Sequence, residues 1–109
     1  MPITMPETVQ TYVDTTNDLD TERFIRQFAD NACVHDEGHY YCGIKAIREW
    51  REATNKKYKF SMKPLIVREH GHETILTAEF TGNFPGSPAK LQFDFAFHNG
   101  KITKLYIKS

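Results

Sequence analysis

From Tyr58 onward the apolar residues of this chain recur at every second position, whereas before it they follow the spacing of helices. Tyr58, Phe60 and Met62 alternate with Lys59, Ser61 and Lys63, and Leu91, Phe93, Phe95 and Phe97 alternate with Gln92, Asp94, Ala96 and His98. A period of two lines one face of a strand with apolar groups and leaves the other face polar. The first of these strands extends past Pro64 and Leu65 to Arg68, and His70-Gly71-His72 reads as a turn into a strand from Thr74 to Thr81. Residues 83–88 are loop chemistry throughout. Asn99-Gly100 is a strong two-residue hairpin signal, and Ile102 to Ile107 closes the sheet.

The first half carries the helices. Thr4 and Glu7 form a capping-box pair with Pro6 in the first turn, and Val9, Tyr12, Val13 and Thr16 recur at helical spacing until Asn17 and Asp18 end the run. A short second helix has Asp20 as N-cap, Leu19 placed to staple onto Phe24, and a stripe of Phe24, Ile25 and Phe28. Ala32 to His35 and His39 to Cys42 read as a short hairpin about Asp36-Glu37-Gly38. The third helix runs from about Ile44 to Lys56, with Ile44, Ile47, Trp50 and Thr54 on its apolar face. Helices and long strands are segregated along the chain, so the fold is α+β rather than a βαβ repeat. A curved antiparallel sheet closing over three N-terminal helices makes a cone enclosing a pocket.

The chain has 109 residues, which fits a single domain over 1–109. Fourteen Lys plus Arg balance 14 Asp plus Glu, which excludes a general nucleic-acid binder and leaves little self-repulsion against association. No apolar run approaches the length of a membrane span. The segment Met1-Pro2-Ile3-Thr4-Met5-Pro6 lacks the basic and apolar regions of a signal peptide, so a cytoplasmic setting is expected. Cys33 and Cys42 are too far apart for a CxxC motif and in a reducing compartment are expected as buried thiols.

Two stretches carry a family likeness. Phe28-Ala29-Asp30-Asn31-Ala32-Cys33-Val34-His35-Asp36, followed by Gly43-Ile44-Lys45-Ala46-Ile47-Arg48-Glu49-Trp50, resembles the nuclear transport factor 2-like superfamily. Gly82-Asn83-Phe84-Pro85-Gly86-Ser87-Pro88-Ala89-Lys90-Leu91 is similar to a late segment of its small SnoaL-like proteins. The likeness spans Tyr12 to Ile107 and implies the cone fold of nuclear transport factor 2-like and cystatin-like proteins. The superfamily holds ketosteroid isomerases, polyketide cyclases, dehydratases, epoxide hydrolases and non-enzymatic binding modules, so the reaction has to be argued from residues.

By that resemblance Asp36 corresponds to the general-base aspartate of ketosteroid isomerases. Tyr12, five residues before Asn17, resembles the tyrosine of their oxyanion hole. A carboxylate inside an apolar cone is desolvated and becomes a better base, while a phenol can donate to an enolate oxygen as charge develops. The family's third member is a protonated acid. The interval to Asn99 points to Asp94 for that role, whereas strand alternation favours Phe93 inward and Asp94 outward, and the sequence leaves both registers open. Trp50, Tyr58, Phe60, Phe84, Phe93 and Phe95 are the expected apolar lining of a ligand pocket. His35 and His39 do not make an HExxH pair, so no metal is expected, and no cofactor either. Two functions follow as expectations: an isomerase- or cyclase-type enzyme, or a non-catalytic ligand-binding or dimerisation module. A protein-interaction adaptor is a third class and would require a large exposed apolar patch. The expected partners are a small molecule and a second copy of the chain docked on the sheet's outer face.

Overall fold

Asn99 and Gly100 both hold positive φ, 52° and 77°, the left-handed pair that a two-residue type I′ hairpin needs. The computed structural model describes residues 4–109. Its elements are α1 (Glu7–Asn17), α2 (Thr21–Ile25), β1 (Phe28–Asp36), β2 (His39–Cys42), α3 (Ile44–Lys57), β3 (Phe60–His70), β4 (Glu73–Gly82), β5 (Ala89–His98) and β6 (Lys101–Lys108). Residues 1–3, which open the segment read for a signal peptide, lie outside the described residues. Among the described residues no helix is long and apolar enough to cross a membrane.

The strands form one six-stranded sheet in the order β2-β1-β6-β5-β4-β3. All neighbours are antiparallel except β1 and β6, which run parallel. That pairing joins the helical half to the strand half, and it makes β1 nine residues long rather than the four expected. The register carries one side chain row across the sheet: Thr74 lies opposite Phe95, Phe95 opposite Leu105, and Leu105 beside Val34. All four are buried. Against this row pack Val9, Tyr12 and Val13 of α1, Phe24 and Ile25 of α2, and Ile47 and Trp50 of α3.

The C-terminal end of α1 is tied to β3 by one side chain. Asn17 Nδ2 donates to the Met62 carbonyl at 3.0 Å, and the Met62 N–H donates to Asn17 Oδ1 at 2.8 Å. β3 is an edge of the sheet, so the amide of Asn17 pairs with backbone groups that a further strand would otherwise take.

Three local expectations are corrected. Pro6 is the N-cap of α1, in an extended conformation with no side-chain cap bond, so the Thr4–Glu7 capping box does not form. Leu19 leaves α1 with φ 57° and is 55% exposed, which turns its side chain away from Phe24. Asp20 does cap α2, accepting from the Arg23 N–H at 3.2 Å. The two cysteines are not buried thiols: β1–β2 pairing sets Cys33 opposite Cys42, with Cα atoms 4.1 Å apart, and they form a disulfide. Alternation with buried Ala32 and Val34 puts this bond on the outer face of the sheet.

Phe95 is 1% exposed and touches the rings of Tyr12 and Phe97. Phe95→Ala should cost about 3–5 kcal/mol, the usual loss for an aromatic truncated in a core. A urea unfolding midpoint within experimental error of the unsubstituted chain would contradict this placement.

Candidate functional site

The three helices cover only part of the inner sheet face, and the remainder is a cavity of about 460 Å³, open at one end. This lies within the range of small-molecule sites. α1 contributes Tyr12, the end of β1 contributes Asp36, and α3 contributes Trp50, Arg51 and Thr54. The apolar walls are Phe60, Phe80, Leu91, Phe93 and Ile107, and Tyr58 and Phe84 also line the cavity. The Tyr58 and Phe84 rings meet edge to face at 5.9 Å.

Asp36 reaches the cavity because it shares a face with buried Val34, two residues earlier on β1. Its Oδ2 accepts a hydrogen bond from the Trp50 indole Nε1 at 3.1 Å. Loss of water pushes its carboxyl above the usual aspartate range; the Trp50 bond and Arg51 oppose the rise, and Glu37 adds to it.

Tyr12 divides its side chain between core and cavity. Its ring packs on Phe24 and Phe95 at 5.0 and 5.1 Å between centroids. Its hydroxyl oxygen accepts from Arg51 Nη2 at 3.3 Å. Burial pushes the phenol up to about 12, with Arg51 opposing and Asp36 adding. Tyr12 therefore stays protonated at neutral pH and can donate to an oxygen in the cavity.

Arg51 was not anticipated. It is 4% exposed, and its guanidinium lies over the rings of Phe24 at 4.2 Å and Trp50 at 4.6 Å. The signal is positional: Arg51 stands four residues after Ile47 and seven after Ile44, inside the apolar stripe of α3 where a surface arginine would not fall. Burial lowers its pKa, and the proximity of Tyr12 and Asp36 opposes that.

Of the expected site residues, Tyr12, Asp36, Trp50, Tyr58, Phe60, Phe84 and Phe93 line one cavity. Two do not. Phe93 is 1% exposed and faces in, so Asp94 faces out, where Gln92 Nε2 donates to its Oδ1 at 2.9 Å and Lys108 Nζ lies 3.3 Å from its Oδ2. Asp94 therefore cannot supply the protonated acid of an isomerase site. Phe95 belongs to the core beneath the cavity rather than to its lining. His35 stacks on Tyr106 at 4.1 Å with rings 9° from parallel, on the face opposite Val34 and Asp36.

No family model and no curated protein matches the chain. Solved structures do. A candidate polyketide cyclase from Sinorhizobium meliloti is 34% identical over 95% of both chains, with a TM-score of 0.93. The chain therefore belongs to the nuclear transport factor 2-like superfamily, among its SnoaL-like members. Two more distant structures share the fold. A ketosteroid isomerase-like protein from Catenulispora acidiphila, in complex with trimethylamine, is 17% identical over 97% of this chain and 87% of its own, at TM-score 0.87. A nuclear transport factor 2-like protein from Cytophaga hutchinsonii is 18% identical over 99% and 91%, at TM-score 0.80.

A carboxyl whose pKa is raised on folding favours the folded state fully only below its unfolded value, and that contribution is lost as pH rises through the folded value. Asp36→Asn should therefore stabilise the chain at neutral pH, and the gain should shrink toward about pH 4. Urea melts at the two pH values measure this; a gain independent of pH would contradict the desolvation of Asp36.

Proposed function

We propose that the chain binds a small apolar or carbonyl-containing molecule in its cone and that Asp36 moves a proton beside the carbonyl. The observation that carries this reading is that a desolvated carboxyl and a protonated phenol line one apolar cavity. In the forward step the C–H bond next to the carbonyl breaks and its proton passes to an Asp36 carboxylate oxygen. The electron pair moves into the new C–C double bond, and the carbonyl π pair moves onto oxygen. The Tyr12 O–H then donates to that developing enolate. Return of the proton to a second carbon gives an isomerase, and attack of the enolate on a second carbonyl gives a cyclase. The cyclase likeness of the 34% identical relative favours the second outcome.

The test uses 2-tetralone, an enolisable ketone of suitable size, in deuterated water. The chain should accelerate deuterium uptake beside the carbonyl, with a rate that falls as pH drops through a value above the ordinary aspartate range. Asp36→Asn should reduce the acceleration about 100-fold or more. Equal rates with the two proteins would remove the catalytic role.

One observation favours the non-catalytic alternative. The Trp50 indole donates to the same carboxylate and so weakens it as a base. A binding module would retain ligand affinity in Asp36→Asn and show no exchange in either protein. The complex of the Catenulispora acidiphila neighbour with a small molecule supports ligand binding under both readings.

A homodimer through the outer face is part of the proposal. Register places Tyr40, His35 and Tyr106 in one row there, with Ile66 on the same face. Tyr40, Ile66 and Tyr106 are 69%, 52% and 38% exposed. Sedimentation should give a dimer for the chain and a monomer for Tyr106→Glu; a monomeric parent chain at micromolar concentration would rule the dimer out. In a cytoplasmic setting the outer-face disulfide would be reduced. The cavity does not depend on it, because neither cysteine is among the lining residues.

A further inference from the structure

We infer that the ligand of this cavity carries a carboxylate and that Arg51 is its anchor. The inference rests on the reading of the cone as a ligand site and adds the substrate class. Arg51 is 96% removed from solvent, yet it makes no ion pair among the described residues. Its one side-chain hydrogen bond is the 3.3 Å contact to the Tyr12 hydroxyl, and its Nε is buried without any acceptor.

Guanidinium stays charged in proteins and carries five N–H donors arranged in a plane. The aromatic rings of Phe24, Trp50, Phe60 and Tyr12 surround it at 4.2 to 6.0 Å. Rings offer their faces to the cation but supply no acceptor for the in-plane N–H fork. A buried cation without a counter-ion is unfavourable. Asp36 shares the cavity, but its carboxylate is engaged by Trp50 and lies outside ion-pair distance. An oxygen pair from a ligand completes the arrangement, since carboxylate geometry matches the guanidinium fork. Phe60, Phe80, Leu91 and Phe93 give the cavity an apolar wall, while Glu37, Thr54 and Lys108 are among its other lining residues. The ligand is therefore an apolar body ending in a carboxylate.

The probes are 2-naphthylacetate and its neutral isostere 2-naphthylacetamide, titrated by calorimetry at neutral pH. The carboxylate should bind the unsubstituted chain roughly tenfold more tightly or better. Arg51→Gln should remove that preference while leaving amide affinity within about twofold. Arg51→Lys, which keeps the charge and loses the fork, should retain part of it. Asp36→Asn should keep the preference, so a failure of proton transfer and a failure of anion anchoring are separable. Equal binding of the two probes, no carboxylate binding at millimolar concentration, or a preference that survives Arg51→Gln would each overturn the inference and leave Arg51 as a cation–π strut. Lys108 also lines the cavity, so if Arg51→Gln does not fold, the charge-keeping Arg51→Lys carries the test: an undiminished carboxylate preference in that variant overturns the inference, and a reduced one supports it.

Discussion

The burial of the Tyr12 ring is the contact on which the rest of the structure depends. Four aromatic rings surround it, two from the helical half (Phe24 and Phe28) and two from β5 (Phe93 and Phe95). Offset and edge-to-face contacts of this kind add to the hydrophobic gain of burying large rings. They also fix where the core stops. Below the Tyr12 ring the cone is filled; at its hydroxyl the cavity begins. One side chain therefore closes the core and provides the polar floor of the site.

The site holds Asp36 and Arg51, two groups of opposite charge, without a direct ion pair between them. Trp50 is central to both, since its indole N–H holds the carboxylate and its ring lies against the guanidinium. In a medium of low dielectric such charges act over longer distances than they would in water. The balance of acidic and basic residues across the whole chain says nothing of this. Most of those side chains are solvated, and the local imbalance sits at two positions.

Much of the fold was legible because its signals are local. The alternation of Leu91, Phe93, Phe95 and Phe97 predicted the inward face, and Asn99-Gly100 predicted the turn that follows. The family words around Asp36 and Trp50 placed two cavity residues that composition would never have singled out. What was not legible depends on distant partners. The parallel pairing of β1 with β6 joins segments some 70 residues apart, and no periodicity reports it. The Cys33–Cys42 bond follows from a strand register that spacing alone does not supply. Arg51 was hidden for another reason: a charged residue in an apolar stripe is read as an interruption, although here it is buried and lines the cavity. Asp94 shows the converse, an acid at a familiar interval from Asn99 that a one-residue register sends to the other face.

The amide of Asn17 has a consequence for the exposed edge of the sheet. An unpaired outer strand is a template on which another chain can add itself, and long edge strands such as β3 invite fibrous growth. By accepting from and donating to Met62 as a neighbouring peptide would, Asn17 occupies one position of that template from within the same molecule. At Met62, therefore, the edge offers an incoming strand no free backbone pair.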